Sequence, residues 1–166
     1  VQGADTELQN RTALAQKKKA KLFLSIHHDS VQPQFLSSWT YQGRRLLYSD
    51  RFRGYSIFYS EKNKYPKASL QFSHLLGSEL RERGLVPTLH HADKVAGENR
   101  GLVDRERGVY RFDDLIVLRT AAMPAVLFEA GIIVNRNEEL RLRDPTYQEM
   151  LVSSICAAVA QFCREN

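Results

Sequence analysis

Cysteine, tryptophan and long apolar runs are scarce in this chain. Its 166 residues include two cysteines and one tryptophan. Cys156 and Cys163 fall seven apart in one expected helix, where a 1.5 Å rise per residue sets their Cα atoms about 10 Å apart. That is beyond disulfide reach. They are expected to be core residues, and with no histidine nearby they exclude a cysteine-rich zinc finger. No apolar run approaches the roughly 20 residues of a bilayer span, and no signal-peptide pattern is present. The first residue is Val1 rather than Met, so the sequence is read as a mature or excised form, which leaves export open. There is no P-loop, GxGxxG turn, HExxH helix or nucleophile elbow, so the chemistries those motifs serve lose their support.

What is present is enough for one domain over residues 1–166: 43% of the residues are hydrophobic and 26% charged, ordinary proportions for a packed core. The formal net charge of +5 favours an anionic partner such as nucleic acid, wall polymer or a lipid surface. The basic residues are scattered rather than gathered into one motif, which speaks against nucleic acid.

Asp5 is placed to cap a helix over Thr6–Lys19, with Leu8, Thr12, Ala15 and Lys19 on one stripe and Lys17-Lys18-Lys19 as a solvated end. Leu22–Ile26, Gly54–Ser60, Leu115–Arg119 and Ala125–Glu129 read as strands. Pro66–Arg83 repeats apolar residues at helical spacing and ends at Gly84. Asp144-Pro145 opens a last helix whose apolar face is Met150, Leu151, Ile155, Ala158, Val159 and Phe162. Ser30–Arg53 reads as a long irregular loop, and His90–Tyr110 as polar and loop-like. The alternation predicts an α/β fold, a mostly parallel twisted sheet with helices on both faces.

Two segments carry the chemistry. Leu22–Ile26 runs into His27-His28-Asp29, and Ala125–Phe128 runs into Glu129. In open parallel sheets, ligands sit beyond the carboxyl ends of the strands, so a histidine and a glutamate on one rim are the parts of a hydrolytic metal site. A lone histidine at a strand end is more often structural, and His28, pointing to the opposite face, cannot easily share a metal with His27. Glu129 needs a partner or a raised pKa; a salt bridge to Arg119 competes with a general acid or base role. Ser25 and His27 do not form a catalytic pair. His74 is expected at the surface or in packing, and His90-His91, after Pro87, as a surface pair without a role. Trp39, Tyr41, Tyr48 and Phe52 either stack on sugar rings or anchor their loop.

Together, Phe23–Ser30, Arg107-Gly108-Val109, Val117–Thr120 and Met123–Gly131 followed by Asn135 and Glu138-Glu139-Leu140 resemble the zinc-dependent N-acetylmuramoyl-L-alanine amidases of bacterial cell-wall hydrolases and phage endolysins. Asp29 stands where the family usually has asparagine. The resemblance implies a peptidoglycan hydrolase that cleaves the amide between N-acetylmuramic acid and L-alanine with zinc-activated water. It implies His27 as a Zn2+ ligand and Glu129 as the catalytic glutamate; Arg119, Asn135 and Trp39 are expected to touch the substrate. It places the protein in the periplasm or outside the cell, against peptidoglycan, and leaves any protein activator open. The family's other two ligands, with a first strand and helix, are expected upstream of Val1, which makes the chain an N-terminally truncated catalytic domain with an elaborated loop over 30–53. The competing reading is a metal-free or degenerate wall-binding module that uses the aromatic loop.

Overall fold

Residues 125–132 are apolar at every position except Glu129, and they form an interior strand of the main sheet. The computed structural model describes residues 2–166, with side chains from Thr6 onward. Its elements are α1 (Gln2–Lys17), β1 (Phe23–Asp29), β2 (Ser37–Tyr41), β3 (Arg44–Tyr48), β4 (Ser56–Tyr59), α2 (Pro66–Glu82), β5 (Gly101–Asp104), β6 (Val109–Arg111), α3 (Ile116–Thr120), β7 (Ala125–Ile132), α4 (Arg136–Arg143) and α5 (Pro145–Glu165). The main sheet has the order β1-β7-β4-β6-β5. β1 runs parallel to β7 and β4 parallel to β6, with antiparallel joins between β4 and β7 and between β5 and β6.

A strand that is apolar on both sides needs cover on both. On one face Ile57, Tyr59, Val126, Phe128 and Ala130 pack against Phe72, Leu76 and Leu80 of α2 and Leu151, Ala158 and Phe162 of α5. On the other, Phe58, Tyr110, Ala125 and Leu127 meet Val117 and Leu118 of α3, with Leu8 and Ala15 of α1 behind them. The expected α/β layering, with helices on both faces, is therefore the architecture found.

Several local expectations change. Leu115–Arg119 is not a strand: residues 116–120 form α3, whose Val117 and Leu118 are buried. A five-residue apolar run satisfies a buried strand and a buried helical turn equally well. The first helix starts at Gln2, so position 5 lies within it rather than at its cap; the side chain of Asp5, like Val1, is outside the described residues. Lys19 has φ +55° and marks where the helix has ended. Cys156 and Cys163 are free and exposed, because the buried stripe of α5 is Tyr147, Leu151, Ser154, Ala158 and Phe162. Within 30–53 lies the antiparallel hairpin β2–β3, a small sheet of its own. Its turn, Gln42-Gly43, has φ of +49° and +73°, the mirror-image turn whose twist suits a hairpin. The 90–110 segment contains a 3-10 turn over His90–Ala92 as well as β5 and β6.

Candidate metal and proton-transfer site

One face of the sheet changes from apolar to polar along its strands. In register, Phe23 lies beside Ala125, Ser25 beside Leu127 and His27 beside Glu129, while β4 sets Phe58 beside Leu127 and Ser56 beside Glu129. In-register neighbours share a face. Thus Ser56, Glu129 and His27 form a polar row across three strands, directly beyond the packed Phe58, Leu127 and Ala125.

The register then slips. Asp29 pairs with Ile132, so Ala130 and Gly131 stand opposite His28 alone. A bulge of this kind bends its strand and redirects the side chains beside it. The amide of Ser30 donates to Asp29 Oδ1 at 2.7 Å, and Oδ2 is left turned toward two histidines that come from far along the chain.

Those histidines are His90 and His91, and here the structure overturns the expectation of a surface pair. Both are buried; their turn folds over the sheet, where His91 meets Phe58 and Tyr110 edge-on and Phe52 stacks on His90. Each ring has its Nδ1 fixed. His90 Nδ1 is hydrogen-bonded to Thr88 Oγ1 at 2.8 Å, and His91 Nδ1 donates to Glu98 Oε2 at 2.8 Å. Gln32 Nε2 donates to the other Glu98 oxygen at 3.0 Å. The two Nε2 atoms lie 2.8 Å (His91) and 3.6 Å (His90) from Asp29 Oδ2. Yet Asp29 Oδ2 and His90 Nε2 make no aligned hydrogen bond, and both are shut off from solvent. Asp29, His90 and His91 can each turn one ligand atom toward a common cation, all within 4.8 Å of one another.

Glu129 borders the same cavity, about 260 Å3, with Asp29, His91 and Glu98. Its Oε2 is buried without a partner. Burial first, then the Asp29 carboxylate, push its pKa up to about 7, while His91 pulls the other way. Burial alone would lower His91, but the carboxylates of Asp29 and Glu98 hold it up to about 9. His90 is held below its ordinary value by burial and by its neighbour His91. Glu98 would rise on burial, but its bonds from His91 and Gln32 keep it below the usual carboxylate range. A carboxyl near neutrality beside imidazoles and a second carboxylate can move a proton at physiological pH.

The other residues singled out from sequence are dispersed. Arg119 is exposed on α3, and the charged groups acting on Glu129 are Asp29 and His91, so Arg119 does not neutralise it. Asn135 is the N-cap of α4: its Oδ1 accepts from the amides of Asn137 and Glu138, and its Nδ2 donates to Phe52 O. Trp39 lies on the β2–β3 hairpin, stacked on Tyr41 at 5.3 Å, with the Arg136 guanidinium over its ring. His27 and His28 are exposed. His74 is partly exposed on α2, 3.7 Å from Asp104. The sequence reading missed His90, His91 and Glu98; the available signal was a paired histidine with an acidic residue seven positions on, inside a segment bounded by Pro87 and Gly101.

The family model described as N-acetylmuramoyl-L-alanine amidase (Amidase_3) matches residues 2–161. The germination-specific N-acetylmuramoyl-L-alanine amidase of Bacillus subtilis (strain 168) is 24% identical over 160 residues, covering 96% of this chain and 52% of its own length. The probable N-acetylmuramoyl-L-alanine amidase AmiB of Haemophilus influenzae is 27% identical over 177 residues, covering 92% of this chain and 38% of its own. The chain thus spans about half the length, or less, of these curated relatives. Among solved structures, the amidase Ami1 from Mycobacterium smegmatis superposes with a TM-score of 0.69 at 21% identity, over 96% of this chain and 61% of that one. The CwlD amidase from Clostridioides difficile, solved in complex with the GerS lipoprotein, gives 0.66 at 22% identity, over 99% and 66%. These structural likenesses show a shared fold.

Proposed function

We propose, because this chain belongs to the N-acetylmuramoyl-L-alanine amidase family, that it carries the hydrolytic centre of a peptidoglycan amidase. The bond attacked joins the lactyl group of N-acetylmuramic acid to L-alanine of the stem peptide. The observation that carries this reading is the Glu129 carboxyl: half-buried, its Oε2 unpartnered, raised to about 7, and set beside His27 at the polar end of the sheet. A carboxylate of that pKa can take a proton from the attacking water and return it to the leaving amine, so one group serves both halves of the reaction.

Zinc fits the donors at this rim. His27, exposed at the end of β1 and in register with Glu129, is a donor of the kind it prefers. When bound, zinc polarises a carbonyl and acidifies water; in this reading His27 is a ligand of that catalytic ion. Substrate contact is assigned to the hairpin. Tyr41 is 50% exposed beside Trp39, and the hairpin is held to the end of β7 by Ser49 N donating to Val134 O and by the Arg136–Asp50 ion pair. Stacked aromatic faces at the rim suit sugar rings, and the +5 charge suits an anionic wall. Among the described residues no helix is long and apolar enough to cross a membrane; action on peptidoglycan places the protein outside the cytoplasm.

The test is release of stem peptides with free L-alanine amino termini from purified sacculi by the zinc-loaded protein. Glu129→Gln should lower the rate by about 10²–10⁴-fold, the usual worth of a general acid or base. Unchanged release by Glu129→Gln would overturn the assignment. Chelator-insensitive wall binding without any release would favour the binding-module reading instead.

A further inference from the structure

We propose that Asp29, His90 and His91 form a divalent-cation site of their own, separate from the ion assigned to His27. All three ligands lie within this chain, and they converge without His27. Three independent features support it.

The first is orientation. The 2.8 Å approach of His91 Nε2 to Asp29 Oδ2 is close, yet Asp29 Oδ2 has no aligned hydrogen bond. The three ligand atoms lie within 4.8 Å of one another, close enough to share one cation. The second is His90. Its side chain has no exposure at all, and its Nε2 has no partner. A buried imidazole nitrogen left bare is costly, and Oδ2 at 3.6 Å is the neighbour it is turned toward. A cation between them would satisfy both.

The third is the outer layer of contacts. Metal-binding histidines characteristically fix the ring nitrogen that does not bind metal against a carboxylate, carbonyl or other polar group. Here Glu98 holds His91 Nδ1, Thr88 holds His90 Nδ1, and Gln32 in turn holds Glu98. Both Nε2 atoms are thereby committed to the inside of the cluster. The donor set agrees: Asp29 and Glu98 bring two carboxylates against a pair of imidazoles. Two imidazoles and one carboxylate favour Zn2+ and its borderline neighbours over Mg2+ or Ca2+, which prefer all-oxygen shells. Three protein ligands would leave a tetrahedral ion one further position, and Asp29 and His91 line the cavity that Glu129 also borders.

The experiment is a zinc and cobalt titration of the full protein and its variants, with metal counted by mass spectrometry and cobalt followed by its visible ligand-field bands. His27→Ala should retain one tightly held ion, and X-ray absorption on that variant should show two imidazoles around it. His90→Gln, His91→Gln and Asp29→Asn should each weaken that ion by at least about 100-fold, and Glu98→Gln by about 10–100-fold, with unchanged far-ultraviolet circular dichroism. The proposal fails if His27→Ala abolishes all metal binding. It fails equally if the His27→Ala ion shows no imidazole scattering. Should a histidine variant unfold, the absorption spectrum of the His27→Ala protein decides alone. None of these readouts uses hydrolysis, so the cation site and the amidase assignment stand or fall separately.

Discussion

Glu129 and Glu138 are carried by neighbouring elements, and both are largely removed from water, but only one is partnered. Glu138 Oε2 accepts from the amides of Gly54 at 2.8 Å and Ile132 at 3.2 Å, which ties the approach to β4 to the end of β7. Gly54 has φ +101°, and a Cβ there would lie 2.3 Å from Val86 O, so the amide that Glu138 captures belongs to a backbone only glycine can adopt without strain. Removing the carboxylate leaves two amides unsatisfied. Glu138→Ala should therefore lower the unfolding free energy by about 2–3 kcal/mol, measured by urea titration, since bonds to charged groups are worth about 1.5–3 kcal/mol each before losses elsewhere. Glu129 has the opposite character: its Oε2 is bare, and its raised pKa records a carboxylate in an unfavourable place. Glu129→Gln should leave stability equal or higher, the reverse of Glu138→Ala. A drop of more than about 1 kcal/mol in that variant, against the spread of ordinary mutational effects, would show that the carboxyl is structural.

At the scale of elements, the hairpin β2–β3 is attached rather than embedded. Its strands pair only with each other, and four of the five β3 residues are exposed. A two-stranded hairpin contributes little independent stability. Replacing residues 37–48 by a short glycine linker should leave the cooperative melt of the sheet in place while reducing sacculus binding; a protein that no longer melts cooperatively would show that the hairpin belongs to the core. Its existence was poorly legible in the sequence because Ser37–Tyr48 lacks the buried alternation that marks a strand, and only Gln42-Gly43 hints at the turn. The opposite held for β7 and α5, where continuous burial and the Asp144-Pro145 start leave one solution each. His27 beside Glu129 was legible too, since both end apolar runs and the sheet brings such ends together. His90 and His91 were not. Their meaning depends on Asp29, some 60 residues earlier in the chain, whose carboxylate reaches both rings; a polar loop gives no local sign of it.

At the scale of the whole molecule, a cation held by Asp29, His90 and His91 would join the end of β1 to the segment that leads from α2 toward β5 and β6, two parts that lie on opposite sides of β7 and β4. Any ion that binds the folded state and not the unfolded chain stabilises by mass action, about 2.7 kcal/mol when its free concentration is 100 times Kd. For a chain of this length each kcal/mol moves Tm by about 2–4 °C, so stripping the ion should lower Tm by about 5–10 °C, and zinc should restore it. The response should be specific. Magnesium or calcium at the same concentration should restore little, because two of the three donors are imidazole nitrogens. His90→Gln should already melt at the chelated protein's temperature and gain nothing from zinc, whereas His27→Ala should keep most of the shift. Scanning calorimetry of the three proteins, each with chelator, zinc and magnesium, separates the contributions. A zinc-dependent rise that survives intact in His90→Gln would assign the stabilising ion to other ligands, and the bridge between the two parts of the fold would have to be sought elsewhere.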